Sequence, residues 1–265
     1  MRMCSIASGS SGNCIYIGDE DTHILIDAGI SRKAIETGLK ELELSGNDLD
    51  GIFITHEHSD HVKGLGVMAR KYHIPMYGTK ETIEAVKAIS SLGNIGEELF
   101  HPVAAEEELQ LKTLTVKPFK VSHDGANPVA YRVESGEKKA AVATDLGIYN
   151  DYTIDHLKGL DVILLEANHD IRMLQTSRYP YSLKQRILGK YGHLCNEMSG
   201  RLLDAILSDK MKRVFLGHLS NENNYPDLAY ESVRVEVNMS QSEYKAEDFH
   251  ISVAKRDSIS DCFEF

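Results

Sequence analysis

The chain has 265 residues, 42% hydrophobic and 26% charged, a globular composition with apolar side chains enough for a sizeable core. Its 29 Lys and Arg against 40 Asp and Glu leave a formal net charge of −11, which excludes a protein that coats a polyanion with its whole surface but allows a local basic patch. Apolar runs such as Val162 to Leu165 are too short to span a bilayer and Met1 to Gly9 has no apolar signal region, so a cytosolic protein is expected.

In chain order, Cys14 to Ile17 and His23 to Ile26 read as the strands of a hairpin turned by Gly18-Asp19-Glu20-Asp21. Ser31 caps a helical stretch through Leu42, Gly51 to Thr55 is a buried strand, and helices are expected from Val62 to Tyr72 and near Thr82 to Ser90. Strands follow at Leu114 to Val121, Val129 to Val133, Ala140 to Ala143 and Val162 to Leu165. Helical stretches over Leu183 to Leu188 and Asn196 to Leu207, a strand at Val214 to Leu216, a helix at Leu228 to Val237 and a strand at Phe249 to Val253 complete the series. Such alternation requires helices to cover sheet faces, and with no linker, repeat or low-complexity block a single unit over 1–265 is expected. Cys4, Cys14, Cys195 and Cys262 show no C-x-x-C spacing and read as incidental thiols.

Histidine stands out: there are 12, several beside Asp where a strand ends. The sharpest cluster is Thr55-His56-Glu57-His58-Ser59-Asp60-His61, directly after an apolar strand and before a helix. A spacing of two puts His56 and His58 on one side of extended chain, while the turn into the helix brings Asp60 and His61 to a second position, a geometry suited to two metals.

This H-x-H-x-D-H motif resembles that of the metallo-β-lactamase superfamily of dinuclear metallohydrolases. The similarity continues in the family's order with Asp27 after Ile24-Leu25-Ile26, His123 after Val121-Ser122, Asp145 after Ala143-Thr144 and His218 after Phe215-Leu216-Gly217, covering about Ser5 to Val253. It implies an α/β fold, the four-layer αβ/βα sandwich, with one metal held by His56, His58 and His123, a second by Asp60, His61 and His218, and Asp145 bridging. Two divalent ions, zinc or manganese, suit mixed imidazole and carboxylate donors and generate a hydroxide nucleophile. Asp27 is expected to orient a ligand imidazole.

Two departures narrow the resemblance toward a hydrolase: Asp145 stands where β-lactamases of the main type carry a Cys ligand, and His58 where flavo-diiron oxidoreductases carry Glu. The opening Ser8-Gly9-Ser10-Ser11-Gly12-Asn13-Cys14, with Glu166-Ala167-Asn168-His169-Asp170 and Gly192-His193-Leu194, is similar to the YycJ (WalJ) branch, whose members are described as double-stranded DNA exonucleases acting from the 5′ end. That similarity implies a 5′ to 3′ exodeoxyribonuclease in which Asp60 and Asp145 serve catalysis through the metals. His193 stands in the order of a late histidine of the similar ribonuclease Z, which implies that it protonates the leaving oxygen, the other reading being a histidine packed where a loop enters a helix. The alternatives are a thioester or lactone hydrolase of the same fold, or a metal-binding regulatory protein without turnover.

Other residues carry two readings each. Ser10 and Asn13 belong either to a phosphate cradle or to a tight turn, and His169 either to the rim of the site or to the structure beside Asp170. From Ile171 to Arg213 nine Lys and Arg face three acids, a local net charge of +6 with tyrosines interleaved. Within that stretch Lys184, Arg186 and Lys190, together with Arg172 and Arg178, are the candidates to track duplex DNA; the other reading is a solvated basic face.

Overall fold

In the computed structural model, which describes residues 1–265, the first half of the chain runs β1 (Arg2–Ala7), β2 (Cys14–Gly18), β3 (His23–Ile26), α1 (Arg32–Glu41), β4 (Gly51–Phe53), α2 (Ser59–Val62), α3 (Leu65–Tyr72), β5 (Met76–Gly78), α4 (Lys80–Lys87) and β6 (Phe100–Pro102). The second half runs β7 (Leu109–Leu111), β8 (Leu114–Lys120), β9 (Val129–Ser135), β10 (Lys138–Ala143), α5 (Asp151–Leu157), β11 (Val162–Glu166), α6 (Ile171–Thr176), α7 (Tyr181–Leu188), α8 (Asn196–Ile206), β12 (Arg213–Gly217), α9 (Pro226–Met239), β13 (His250–Val253) and β14 (Phe263–Glu264). These make two seven-stranded sheets, ordered β14-β1-β2-β3-β4-β5-β6 and β13-β12-β11-β10-β9-β8-β7. Each begins antiparallel and turns parallel, from β3 to β6 in the first and from β10 to β13 in the second.

Side-chain alternation along the strands builds three apolar layers. Ile15, Ile24, Phe53, Tyr131, Val142 and Leu164 meet between the sheets. Ile35 and Leu39 of α1 and Met68 of α3 cover the outer face of the first sheet, against Leu25 and Ile52. Leu202 and Leu203 of α8 and Val233 of α9 cover the second, against Ile163 and Val214. The result is a four-layer αβ/βα sandwich. The parallel strands are buried on both faces, which is why β11 and β12 read as unbroken apolar runs.

Ser31 does cap α1, its Oγ accepting from Ala34 N at 3.3 Å, a contact worth about 1 kcal/mol. The helix expected over Val62 to Tyr72 is instead two, broken at Gly64. There the backbone N–H donates to Ala28 O at 2.7 Å and a Cβ would lie 2.2 Å from Ile30 O, so the chain is pinned against the loop after β3 and cannot stay helical. The sequence reading missed β1, whose polar Ser5 hides its pairing with β2 and the C-terminal β14, and also missed β5, β6 and β7, which at three residues each are too short to show periodicity. No helix is long and apolar enough to cross a membrane.

Candidate metal centre

The parallel strands β3, β4, β10, β11 and β12 all deliver their C-terminal ends to one edge of the sandwich, where an α/β sheet leaves its crevice. Asp27, Asp145 and His218 stand just past β3, β10 and β12 with φ of 63°, 60° and 55°, a left-handed conformation that Asp and His tolerate better than most but that still costs energy. Three such residues at separate strand ends, all facing one spot, make that spot the candidate site.

The turn after β4 supplies His56, His58, Asp60 and His61. Gly29 makes room for it: a Cβ there would lie 1.7 Å from Asp60 O. Asn13 ties the turn down, its backbone N–H donating to Asp60 O at 2.8 Å and its Nδ2 lying 3.3 Å from His61 Nε2. Beneath the turn Asp27 is buried, accepting from Thr55 N at 2.9 Å, from Thr55 Oγ1 at 2.9 Å and from His61 Nδ1 at 2.7 Å. With its proton given to Asp27, Thr55 Oγ1 accepts from His56 Nδ1 at 3.0 Å.

The second half contributes one residue per strand end or loop. His123 donates through Nδ1 to Gly192 O at 2.9 Å, and His218 through Nδ1 to Glu166 Oε1 at 2.8 Å. In all four cases the nitrogen facing away from the cluster is committed as a donor, which fixes the tautomer and turns the Nε2 lone pair inward. His58 approaches with Nδ1, 3.4 Å from His123 Nε2. Asp145 lies between, Oδ2 3.2 Å from His61 Nε2 and Oδ1 3.5 Å from His123 Nε2, and Asp60 Oδ2 is 3.4 Å from His218 Nε2.

Donor atoms therefore converge as His56, His58 and His123 on one side and Asp60, His61 and His218 on the other, with Asp145 grouped with His56 and His61 and again with His218. The buried His56 Nε2 and Asp145 Oδ2 have no hydrogen-bond partner, although an unpaired buried polar atom costs about 1–3 kcal/mol. Mixed imidazole and carboxylate donors with inward lone pairs and orphaned atoms fit divalent cations such as zinc or manganese. Electrostatics agree. Burial opposes charge on every group here, yet Asp145, Asp60 and Glu166 outweigh it and push His218 up to about 10, while Asp145, Asp27 and Asp60 raise His61 well above the usual range. Burial prevails at His56, which is driven well below it. So dense a field of carboxylates is a place built for positive charge.

Glu166, which the sequence reading did not single out, is the organiser of the second half. It is fully buried: Oε1 accepts from both His193 Nδ1 at 2.9 Å and His218 Nδ1, and Oε2 accepts from Leu146 N at 2.9 Å and Leu194 N at 3.0 Å. Burial would raise its carboxyl, but His193 and His218 hold it down at about 2. A carboxylate closing the apolar run Val162-Ile163-Leu164-Leu165 was the available signal, because a charge at the end of a buried strand must be paired. His193 is partly exposed, with Nδ1 on Glu166 and its ring 5.0 Å from that of His123 and 5.3 Å from that of His218, so it stands beside the cluster with Nε2 free.

The remaining sequence candidates separate. Ser8, not Ser10, reaches the centre, its Oγ accepting from His218 N at 2.9 Å, whereas Ser10 is exposed. His169 is buried one residue from Asn168, whose Nδ2 donates to His218 O at 2.9 Å. Arg186 is paired with Asp124, and Asp124 Oδ1 lies 3.3 Å from His123 Nε2. Lys190 Nζ sits 4.8 Å over the Tyr191 ring, while Lys184 is spent on Gln175 O and Ser177 O, both at 2.7 Å. The basic stretch is not one patch: α8 carries the chain away from the metal edge, so Lys210 and Lys212, just before β12, lie at the opposite edge, bound to Asp161 at 3.4 and 3.1 Å.

Comparison with known proteins agrees with this geometry. Residues 22–218 match the model of the beta-lactamase superfamily domain. The chain is 41% identical over 228 residues to the exodeoxyribonuclease YycJ of Bacillus anthracis, covering 86% of each, and 39% identical over 225 residues to the exodeoxyribonuclease WalJ of Streptococcus pneumoniae, covering 85% of this chain and 84% of that one. Its fold is similar to the crystal structure of the metallo-β-lactamase fold protein YhfI from Bacillus subtilis, with a TM-score of 0.68 and 15% identity over 98% of both chains.

Proposed function

This chain belongs to the metallo-β-lactamase superfamily as a metal-dependent hydrolase, and from that premise we propose that it is a cytoplasmic nuclease, an exodeoxyribonuclease that digests duplex DNA from the 5′ end. The observation that carries the reading is His193. It is a partly exposed imidazole beside the metal ligands, locked by Glu166 and free at Nε2, in a chain about 40% identical to proteins named exodeoxyribonuclease.

Two divalent ions, zinc or manganese, would be held by His56, His58 and His123 and by Asp60, His61 and His218, with Asp145 shared. Bound there, they supply positive charge for a phosphodiester and a hydroxide nucleophile at neutral pH. The chain's own residues do the rest. Asp27 and Glu166 keep the imidazoles in donor-committed tautomers, so that no reorganisation is needed during turnover. His193, held through Nδ1, gives a proton from Nε2 to the departing sugar oxygen as the P–O bond breaks. Arg186, exposed beside His58 and His123, exchanges Asp124 for a substrate phosphate oxygen.

Incubating the metal-loaded protein with end-labelled duplex DNA, single-stranded DNA, RNA and a thioester tests the reading. The expected result is release of nucleotides from duplex 5′ ends. Thioester turnover without any nuclease activity overturns it and favours the esterase alternative.

A further inference from the structure

Next to the metal centre a cavity of about 610 Å³ opens between the loop after β8, the start of α5 and Tyr191. Its size is within the roughly 300–1,000 Å³ of small-molecule sites. Tyr191, Ile148 and Tyr152 line it and are 52%, 50% and 37% exposed, large side chains left open to water. The cavity and the metal ligands share one framework. Ser122 precedes His123, accepts from Gly147 N at 2.7 Å and donates from Oγ to Lys190 O at 2.7 Å. Asp124 N donates to Tyr191 O at 3.1 Å, and the next carbonyl, Gly192 O, is the one that holds His123. Tyr191 is thus clamped on both sides to the segment that carries a metal ligand.

The rings themselves are held apart. Tyr152 OH accepts from Lys120 N at 3.0 Å and donates to Glu106, so its ring cannot fold into the gap, and Lys190 lies over the Tyr191 ring, which stays half exposed.

We propose that this cavity is a nucleobase subsite, in which Tyr191 stacks on the base of a nucleotide flanking the scissile phosphate, with Ile148 and Tyr152 as the facing walls. The inference rests on the nuclease reading above and names how that site grips its substrate. Two features select a base over an acyl chain. Lys120 in the lining and Lys190 over the Tyr191 ring suit the phosphates on either side of a base and have no counterpart in a neutral ester. Stacking also accepts every base, since each presents a π-face, as an enzyme advancing nucleotide by nucleotide requires.

The test uses the full chain as wild type, Tyr191→Ala, Tyr191→Phe and Ile148→Asp, with duplexes whose terminal nucleotide is normal, abasic or 2-aminopurine. Under chelator, so that no turnover occurs, wild type and Tyr191→Phe should quench the 2-aminopurine and Tyr191→Ala and Ile148→Asp should not. With metal, Tyr191→Ala should raise KM about tenfold on the normal end, the usual loss for one base–aromatic stack, and leave the abasic end unchanged. If wild type digests DNA while quenching and the abasic discrimination survive in both Tyr191→Ala and Ile148→Asp, the subsite is wrong and the nuclease reading stands. If wild type attacks no nucleic acid, both fall together.

Discussion

The two halves of the molecule build the same edge by different means. The first half delivers four candidate ligand side chains from one turn, His56 to His61, over a single buried carboxylate, Asp27, that fixes one of them directly and a second through Thr55. The second half delivers His123, Asp145, His193 and His218 from separate strand ends and loops, and gathers three of them on Glu166: His193 and His218 by their imidazoles, Asp145 through its backbone N–H at 3.2 Å. A local cluster is kept in place by its own turn. A dispersed one depends on one long-range organiser, so its failure should spread further.

The largest effect is expected where the halves meet. Asp145→Ala removes the carboxylate shared between them, and hydrolysis should fall to background; Asp60→Ala, on the first-half turn, should do the same. Both should leave the circular dichroism spectrum intact, since the three apolar layers and not the centre hold the sheets. Near-normal turnover of either variant after reconstitution would break the assigned roles, and elemental analysis should find two ions in wild type.

Next comes the comparison itself. Partners that orient metal ligands are worth about 10–100-fold each, so Glu166→Gln, which loosens His218 and His193 together, should cost about 10²–10³-fold in kcat/KM, and Asp27→Asn about 10–100-fold. The reverse order would mean that the local turn, not the dispersed half, is the fragile element.

The same contrast explains what could be read from sequence. His56, His58, Asp60 and His61 lie within six residues, so spacing alone displays them. Asp145 and His218 are single polar residues after apolar strands, ordinary in isolation, and only their order within a familiar pattern singled them out. Glu166 stands in a quoted motif but has no role legible there, because its partners lie 27 and 52 residues away and its role exists only once β10, β11 and β12 are side by side. For the same reason a run of basic residues looked like one footprint, although the helix α8 within it carries the later charges to the far edge.

A smaller effect tests how dry the dispersed half is. His169 is buried behind Asn168, its Nε2 unpartnered, and burial pushes its pKa down to about 4. Its ordinary value is about 6.5, so as pH falls the unfolded chain takes the proton first. The stability tied to the neutral ring is therefore full above about pH 6.5 and is lost as pH falls toward 4, amounting to about 2 kcal/mol between pH 7 and 5. Urea midpoints at those two pH values should differ by that much less in His169→Gln than in wild type, and an equal loss in both proteins would mean that water reaches the ring.

The smallest effect separates the two edges of the second sheet. If phosphates contact only the metal edge, each basic side chain there contributes about 0.9 to the slope of log K against log salt, and those at the far edge contribute nothing. Arg186→Gln combined with Lys190→Gln should therefore flatten the slope for duplex binding by about 2, reading each side chain as one neutralised phosphate. Lys210→Gln with Lys212→Gln removes the same formal charge from the stretch that sequence alone treats as continuous, but it strips partners of Asp161 and of Glu137 O, an edge away from the candidate metal ligands. That pair should leave the slope unchanged. Lys184→Gln should also leave the slope in place while lowering the melting temperature slightly, because its ammonium is spent on the carbonyls that end α6 rather than offered to solvent. Equal flattening by the far-edge pair would show that charge, not position, governs binding, and would restore the single footprint that α8 divides.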